Sequence, residues 1–195
     1  MNSYVTLFQK FILYAINASL IILSLFAIIK SIFVSFDIDE SYAITQAYRL
    51  INGDRLIVDM WEPHQLSAYG ATLFMLPFLL ITGGNTSGIV LFLRIIGTII
   101  HLLIGFWFFQ TSRKKFSLNT SLLIALMHIN FLPKWVTIPE FEIMHYWSVC
   151  VLFLALLTWH ENHTKKIYLI ISGIALWVLI TTYPTMILLY PFYAF

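Results

Sequence analysis

The sequence predicts an all-α protein that crosses a membrane several times. Of its 195 residues, 60% are hydrophobic and 10% are charged, whereas roughly a quarter of the residues in a soluble domain are charged. The mean hydropathy is +0.87, and several apolar runs reach the ~18 residues that indicate a membrane-crossing helix. The formal net charge of only +2 gives no indication of nucleic acid as a partner. We therefore expect one transmembrane domain over residues 1–195, embedded in membrane lipid.

Five spans are predicted from the apolar runs. The first covers about residues 11–36, and Lys30 near its end can extend its ammonium group to the membrane interface. The spans that follow are predicted at about residues 89–109, 118–132, 143–159 and 167–190. In the last of them, Pro184 predicts a kink. His101 and His128 lie inside spans, where hydrogen bonds between helices are expected to satisfy them.

A polar loop over residues 37–65 separates the first two spans. The stretch from residue 36 to residue 69 holds six of the nine acidic residues. Acidic residues at its start and Gly53 further on predict an amphipathic helix of about 11 residues between them. That helix is too short and too polar to cross, and we expect it along the membrane surface. Residues 56–61 are predicted to be extended, and Pro63 keeps Glu62 out of helical geometry.

Residues 66–82 leave the topology open. This segment contains Gly70 and Pro77 and fits either a short span or a re-entrant or interfacial helix. If it does not cross, an inside N-terminus puts the basic loops at 113–115 and 165–166 inside, and five spans satisfy the positive-inside rule. If it does cross, the same rule favours six spans and an outside N-terminus, and the acidic loop is then cytoplasmic.

Short motifs in a defined order carry a family resemblance. They are Asp39-Glu40 after the first span, Arg49-Leu50, Gly53-Asp54, Trp61-Glu62-Pro63-His64 and Leu93-Arg94 in the next span. In this order the chain resembles the bacterial glycosyltransferases of the dolichyl-phosphate-mannose protein mannosyltransferase superfamily. These are GT-C fold enzymes that include the aminoarabinose transferases acting on lipid A. Members of that superfamily have many more spans, so the chain resembles only their N-terminal half.

The resemblance implies a GT-C-like helix bundle with five spans, and a helix at 66–82 that stays on the outer side. It implies a multi-pass plasma-membrane protein whose catalytic loop is extracytoplasmic. The donor it implies is a polyprenyl-phosphate-linked sugar, and the acceptor is a glycan, a lipid or a protein.

Asp39 and Glu40 are the candidate catalytic residues. Inverting sugar transfer needs a carboxylate that takes the proton of the acceptor, and the resemblance favours Asp39 as this base, with Glu40 in reserve or holding a metal or an acceptor group. Acids at a helix N-terminus also act as ordinary caps, which stays open as the alternative. Asp37 and Asp39 offer oxygen ligands for Mg²⁺ or Mn²⁺, but a solvated acidic turn accounts for them more simply, and no metal site is predicted.

Arg94 is the main candidate for binding substrate. In the five-span topology it lies at the depth of a lipid phosphate, which a guanidinium can bind through two hydrogen bonds. The alternative is an ion pair with a loop acid, Asp59 or Glu62. The other candidate contacts are Arg49, Arg55, Trp61, Glu62, His64, Glu140, Glu142 and His145. Ordinary loop hydrogen bonding, or for Trp61 the interfacial aromatic belt, is the competing interpretation.

The hypothesis is therefore a membrane glycosyltransferase that transfers a sugar from a polyprenyl-phosphate donor to an extracytoplasmic acceptor. One alternative is a non-catalytic or truncated membrane component that binds lipid-linked sugar. The other is a transporter-like bundle in which Arg94 and His101 line a pathway, although the spans show no pair of broken helices.

Overall fold

A computed structural model describes residues 2–33, 36–61, 64–133 and 137–194. Its α-helices are α1 (Asn2–Ile32), α2 (Ile38–Ile51), α3 (Ala68–Ile81), α4 (Ile89–Ser112), α5 (Leu118–Asn130), α6 (Phe141–Glu161), α7 (Ile167–Thr182) and α8 (Tyr190–Ala194). Short 3₁₀ helices cover Gln65–Ser67 and Pro184–Leu189. Over the described ranges the chain has no strand, apart from one isolated bridge between Leu56 and Met60. The predicted all-α class is confirmed.

Three helices have the length and apolar composition to cross a membrane: Phe11–Ile32 within α1, all of α4 and all of α6. They indicate a membrane protein. The helices α3, α5 and α7 are apolar but have 14, 13 and 16 residues, which at ~1.5 Å per residue is shorter than a hydrocarbon core of ~30 Å. The segments predicted as spans at 118–132 and 167–190 are therefore shorter helices than expected.

The last predicted span ends early. α7 stops at Thr182, because Tyr183 is extended with φ −134° and ψ 96° and Pro184 starts a 3₁₀ helix. A proline disfavours helical geometry in the residue before it. Pro184 therefore ends the helix, and the predicted kink within a helix reaching residue 190 is wrong.

The predicted amphipathic helix is α2, with 14 residues. Its N-terminus is a capping box: the side chain of Asp37 accepts from the Asp39 N–H at 2.9 Å, and Glu40 Oε2 accepts from the Asp37 N–H at 2.9 Å. The chain leaves the helix through Gly53, whose φ of +97° favours glycine. One face of α2, with Ala47 at its centre, is buried against Ala71 and Met75 of α3. Two such complementary faces hold the helix pair together.

The loop after α2 is a compact turn, so the predicted extended segment at 56–61 is wrong. Ile57 adopts φ +71°, and its N–H donates to Gln65 Oε1 at 2.6 Å. Two ion pairs close the turn, Arg49 with Asp54 and Arg55 with Asp59. These local contacts replace the hydrogen bonds that an extended strand takes from a neighbour.

A buried polar network joins α4, α5 and α6, as predicted for the two span histidines. Trp147 Nε1–H donates to His101 Nδ1 at 3.1 Å, so the proton of His101 is on Nε2, which donates to the Ile129 carbonyl at 3.1 Å. His128 Nε2 donates to the His101 carbonyl at 3.1 Å, and its Nδ1 lies 2.8 Å from the Tyr146 hydroxyl. The Trp147 and Ile129 contacts thereby fix the tautomer of the His101 ring.

The segment before α6 crosses α4 at Gly97. A Cβ atom at this position would overlap the carbonyl oxygen of Thr137. The Thr137 hydroxyl donates to the Arg94 carbonyl at 2.9 Å and lies 2.9 Å from Thr98 Oγ1. Only glycine permits this close approach, and the crossing fixes where α6 begins.

The polar loop and the two basic loops lie at opposite ends of the bundle. Lys114 pairs with Glu161 at 2.8 Å, which joins the C-terminal ends of α4 and α6. The acidic helix α2 instead meets the other end of both helices, through Arg94 and Phe141. The acidic helix α2 and the basic residues Lys114 and Lys115 therefore lie at opposite ends of α4 and α6.

Candidate functional site

The two candidate acids on α2 point in different directions. Neighbouring residues on an α-helix differ by about 100°, so Asp39 and Glu40 cannot share one face. Glu40 is fully buried, with 0% of its surface exposed, and Asp39 is half-buried. The two carboxylates therefore serve different contacts.

Glu40 forms a buried ion pair with Arg94. Arg94 Nε donates to Glu40 Oε1 at 2.7 Å, and Nη2 donates to Oε2. Nη1 donates to the Ile32 carbonyl at 2.9 Å, and Arg94 is 3% exposed. A bidentate pair in this setting joins α2 to α4 and to the end of α1. The geometry favours the ion-pair alternative for Arg94 over a phosphate contact, but the acid is Glu40, whereas Asp59 pairs with Arg55.

The helix α2 contacts the start of α6 through Tyr42, which follows Asp39 on the helix. Tyr42 is one turn further on, at the i+3 position, where side chains are neighbours on a helix surface. Its ring makes an edge contact with Phe141, with centroids 6.5 Å apart. The predicted base therefore lies on the same side of α2 as this contact.

The start of α6 is capped by Glu140, which is 1% exposed. Its carboxylate accepts from the N–H of Glu142 at 3.0 Å and from that of Ile143 at 2.7 Å. Glu140 thus orients the first turn of α6. The substrate contact predicted for it remains untested.

Three segments distant in the sequence meet beside this cap. His64 stacks on Phe141 with ring centroids 4.3 Å apart and an angle of 3°. The ring of Tyr183 lies 4.8 Å from His64 and 4.6 Å from His145. His64 Nδ1 lies 3.0 Å from the Thr182 carbonyl, and because a carbonyl only accepts, Nδ1 carries the proton. Nε2 of His64 therefore accepts in the neutral ring and donates when the ring is protonated.

A cavity of about 400 Å³ opens next to these rings. Its lining includes Glu142, His145 and Tyr183. His145 Nδ1 is buried and makes no hydrogen bond within the described residues. A carboxylate and an imidazole on one cavity wall can hold and move a proton. We call the group of Asp39, His64, Glu142, His145 and Tyr183 the candidate site.

An apolar groove of about 920 Å³ runs between α3, α6 and α7. Leu66 and Thr181 line one end of it, and each is two residues from a member of the candidate site. The rest of the groove is almost entirely apolar and includes Leu73, Pro77, Met144, Trp147 and Trp177. A groove of this size and with this apolar lining can accommodate a lipid chain.

The remaining predicted residues lie elsewhere. Arg49 and Arg55 hold the turn after α2 together, and the Arg55 guanidinium lowers the pKa of the Asp59 carboxyl below its usual value. Trp61 is 87% exposed. Glu62 falls outside the described residues.

Asp37, the weak metal candidate, uses its side chain as the cap of α2. Over the described ranges no three His, Cys, Asp or Glu residues are grouped so that they could hold a metal ion.

The sequence predictions omitted Tyr42, Phe141 and Tyr183, which connect α2, α6 and α7. Tyr42 carried a usable signal, since it follows Asp39 at i+3 on a predicted helix. Tyr183 directly precedes a proline, which indicates a helix end at the candidate site. Comparison of the chain with protein-family models, curated proteins and solved structures gives no match.

Proposed function

We propose that the chain is part of a membrane glycosyltransferase that moves a sugar from a polyprenyl-phosphate donor to an acceptor. One observation supports this most directly. Glu142 and His145 line a cavity of about 400 Å³, and a separate apolar groove of about 920 Å³ lies between α3, α6 and α7. A lipid-linked sugar has the same two parts, a polar head and a long apolar chain. The motif resemblance points to the same chemistry.

In this proposal the apolar groove holds the prenyl chain. Burial of its hydrocarbon next to Leu73, Met144 and Trp177 excludes lipid or water from the groove and fixes the position of the head group. The phosphate then lies at the end lined by Leu66 and Thr181, beside His64 and Tyr183.

Asp39 is the proposed base. It takes the proton of an acceptor hydroxyl while the acceptor oxygen forms a bond to the anomeric carbon of the sugar. The bond from that carbon to the phosphate oxygen breaks, and polyprenyl phosphate leaves with the electron pair. His64, protonated, donates Nε2–H to the leaving phosphate while its Nδ1–H stays on the Thr182 carbonyl. This donor takes the role first expected of Arg94, whose guanidinium is held by Glu40.

The test is Asp39→Asn, with Asp54→Asn as a matched control in the surface turn. Membranes containing each variant receive polyprenyl-phosphate-linked hexoses and pentoses, and released polyprenyl phosphate is measured. Loss of a general base lowers the rate by about 100-fold or more. We expect that loss for Asp39→Asn and wild-type release for Asp54→Asn. Full activity of Asp39→Asn would show that Asp39 is not the base.

The locked Glu40–Arg94 pair supports a second candidate, a component that binds lipid-linked sugar without turnover. A guanidinium engaged at 2.7 Å by a buried carboxylate contributes little charge to a leaving phosphate. Binding of a labelled donor by the wild-type chain, without any release of polyprenyl phosphate, would favour this candidate over transfer.

A further inference from the structure

The side chain of Gln46 on α2 is buried. The residue is 4% exposed, and neither Oε1 nor Nε2 makes a hydrogen bond within the described residues. Buried polar groups in native proteins are nearly always paired, since an unpaired one destabilises the fold. A ligand that binds from outside the chain would supply the hydrogen-bond partners that this amide lacks.

Gln46 lines a groove of about 280 Å³ on α2. The other lining residues are Ile38, Ser41, Tyr42, Thr45, Arg49 and Met60. The Ser41 hydroxyl donates to the Ile38 carbonyl at 2.6 Å, so its oxygen can still accept. Thr45 is exposed, and Arg49 is already held by Asp54 and by the Asp59 carbonyl at 2.7 Å. The groove therefore offers an amide, two hydroxyls and an aromatic ring, and its nearest cation is already paired.

The proposed base lies on the same stripe of α2 as the groove residues Tyr42, Gln46 and Arg49. Asp39, Tyr42, Gln46 and Arg49 follow one another at intervals of three and four residues, which places them in one stripe along the helix. Tyr42 belongs to both places, since it lines the groove and contacts Phe141. At ~1.5 Å per residue, the stripe from Asp39 to Gln46 is about 10 Å long. An extended ligand in the groove can therefore reach Asp39 with one end.

We propose that this groove binds the acceptor and that the acceptor is a glycan, an inference that rests on the function proposed above. A sugar ring carries neighbouring hydroxyls that donate and accept, which matches the side-by-side donor and acceptor of the Gln46 amide. Its C–H face packs on an aromatic ring such as Tyr42. A hydroxyl of the terminal sugar then meets Asp39. The neutral lining fits an uncharged glycan better than an anionic lipid head group.

The experiment uses the full chain in lipid nanodiscs and an array of neutral oligosaccharides, with peptides and phospholipids as other probes. Gln46→Leu removes both amide groups, and Gln110→Leu makes the same change at an exposed position of α4. We expect Gln46→Leu to weaken oligosaccharide binding about tenfold or more, since it deletes two hydrogen bonds. Thr45→Ala, at an exposed site, weakens it severalfold. Gln110→Leu leaves it unchanged.

Thermal unfolding separates this role from a structural one. Gln46→Leu relieves an unpaired buried amide, so its Tm stays at or above that of the wild type. A lower Tm together with lost binding would overturn the assignment if Thr45→Ala binds normally. Binding by Gln46→Leu at wild-type strength, or binding only to peptides or phospholipids, or to no probe, would also overturn it.

The two proposals fail separately. Asp39→Asn retains oligosaccharide binding and loses transfer when both are right. If Asp39→Asn still transfers sugar, Asp39 is not the base, but the proposal that oligosaccharide binding depends on Gln46 still stands. If transfer depends on Asp39 but Gln46→Leu binds oligosaccharide like the wild type, only the proposal of a glycan groove is refuted.

Discussion

The buried ion pair between Glu40 and Arg94 makes a quantitative prediction about stability. The two residues are 0% and 3% exposed, so removing one leaves a charge in a site closed to water. Breaking such a pair destabilises a protein by about 3–5 kcal/mol, whereas replacing both partners with apolar residues is often nearly neutral. We expect Glu40→Leu and Arg94→Met each to reduce the free energy of unfolding by that amount. The double variant should be far less destabilised than the sum of the two single variants, and close to the wild type.

The measurement is unfolding in mixed micelles with increasing sodium dodecyl sulfate, followed through the fluorescence of the six tryptophans. The control is the same cycle on Arg49 and Asp54, whose side chains are 43% and 38% exposed and should couple by about 1 kcal/mol or less. Single variants within 1 kcal/mol of wild type, or an additive double variant, would refute a structural role for the buried pair.

Two further predictions concern α4 and the turn after α2. Gly97→Ala forces a Cβ atom against the Thr137 carbonyl, and we expect about 3 kcal/mol of destabilisation; Gly173→Ala, with its nearest neighbour atom at 3.5 Å, serves as control and should unfold like wild type. The Arg55 side chain lowers the pKa of Asp59. The ion pair therefore stabilises the turn above the usual aspartate pKa of ~3.9, and this stabilisation is lost as the pH falls through the lower pKa that Asp59 has in the folded protein. A carboxyl titration by NMR should show that lowered pKa, and Arg55→Gln should raise it; an unchanged pKa in that variant would contradict the assignment.

Local signals in the sequence were enough to predict α2. The acids at its start and Gly53 at its end act through contacts within four residues, and the capping box and the positive φ of +97° follow from them. The turn at 56–61 was mispredicted because Ile57 adopts a left-handed conformation, with φ +71°, that is rare for a β-branched residue.

The contacts between residues distant in the sequence could not be predicted from local signals. Glu40 and Arg94 are 54 residues apart, and no periodicity indicates which acid a buried arginine selects. His64 and Thr182 are 118 residues apart, so their contact depends on how α7 packs against the start of α6. The unpaired state of Gln46 is likewise a property of the packed structure, since the sequence shows only a polar residue on a helix.

The ion pair also constrains the order in which the chain assembles. Glu40 is synthesised 54 residues before Arg94, so the ion pair can form only after α4 has been made. Until then the carboxylate is best kept in water, at the membrane surface. When α4 enters the membrane, Arg94 can pair with the Glu40 carboxylate at the membrane surface, and this pairing lowers the free-energy cost of inserting a cation.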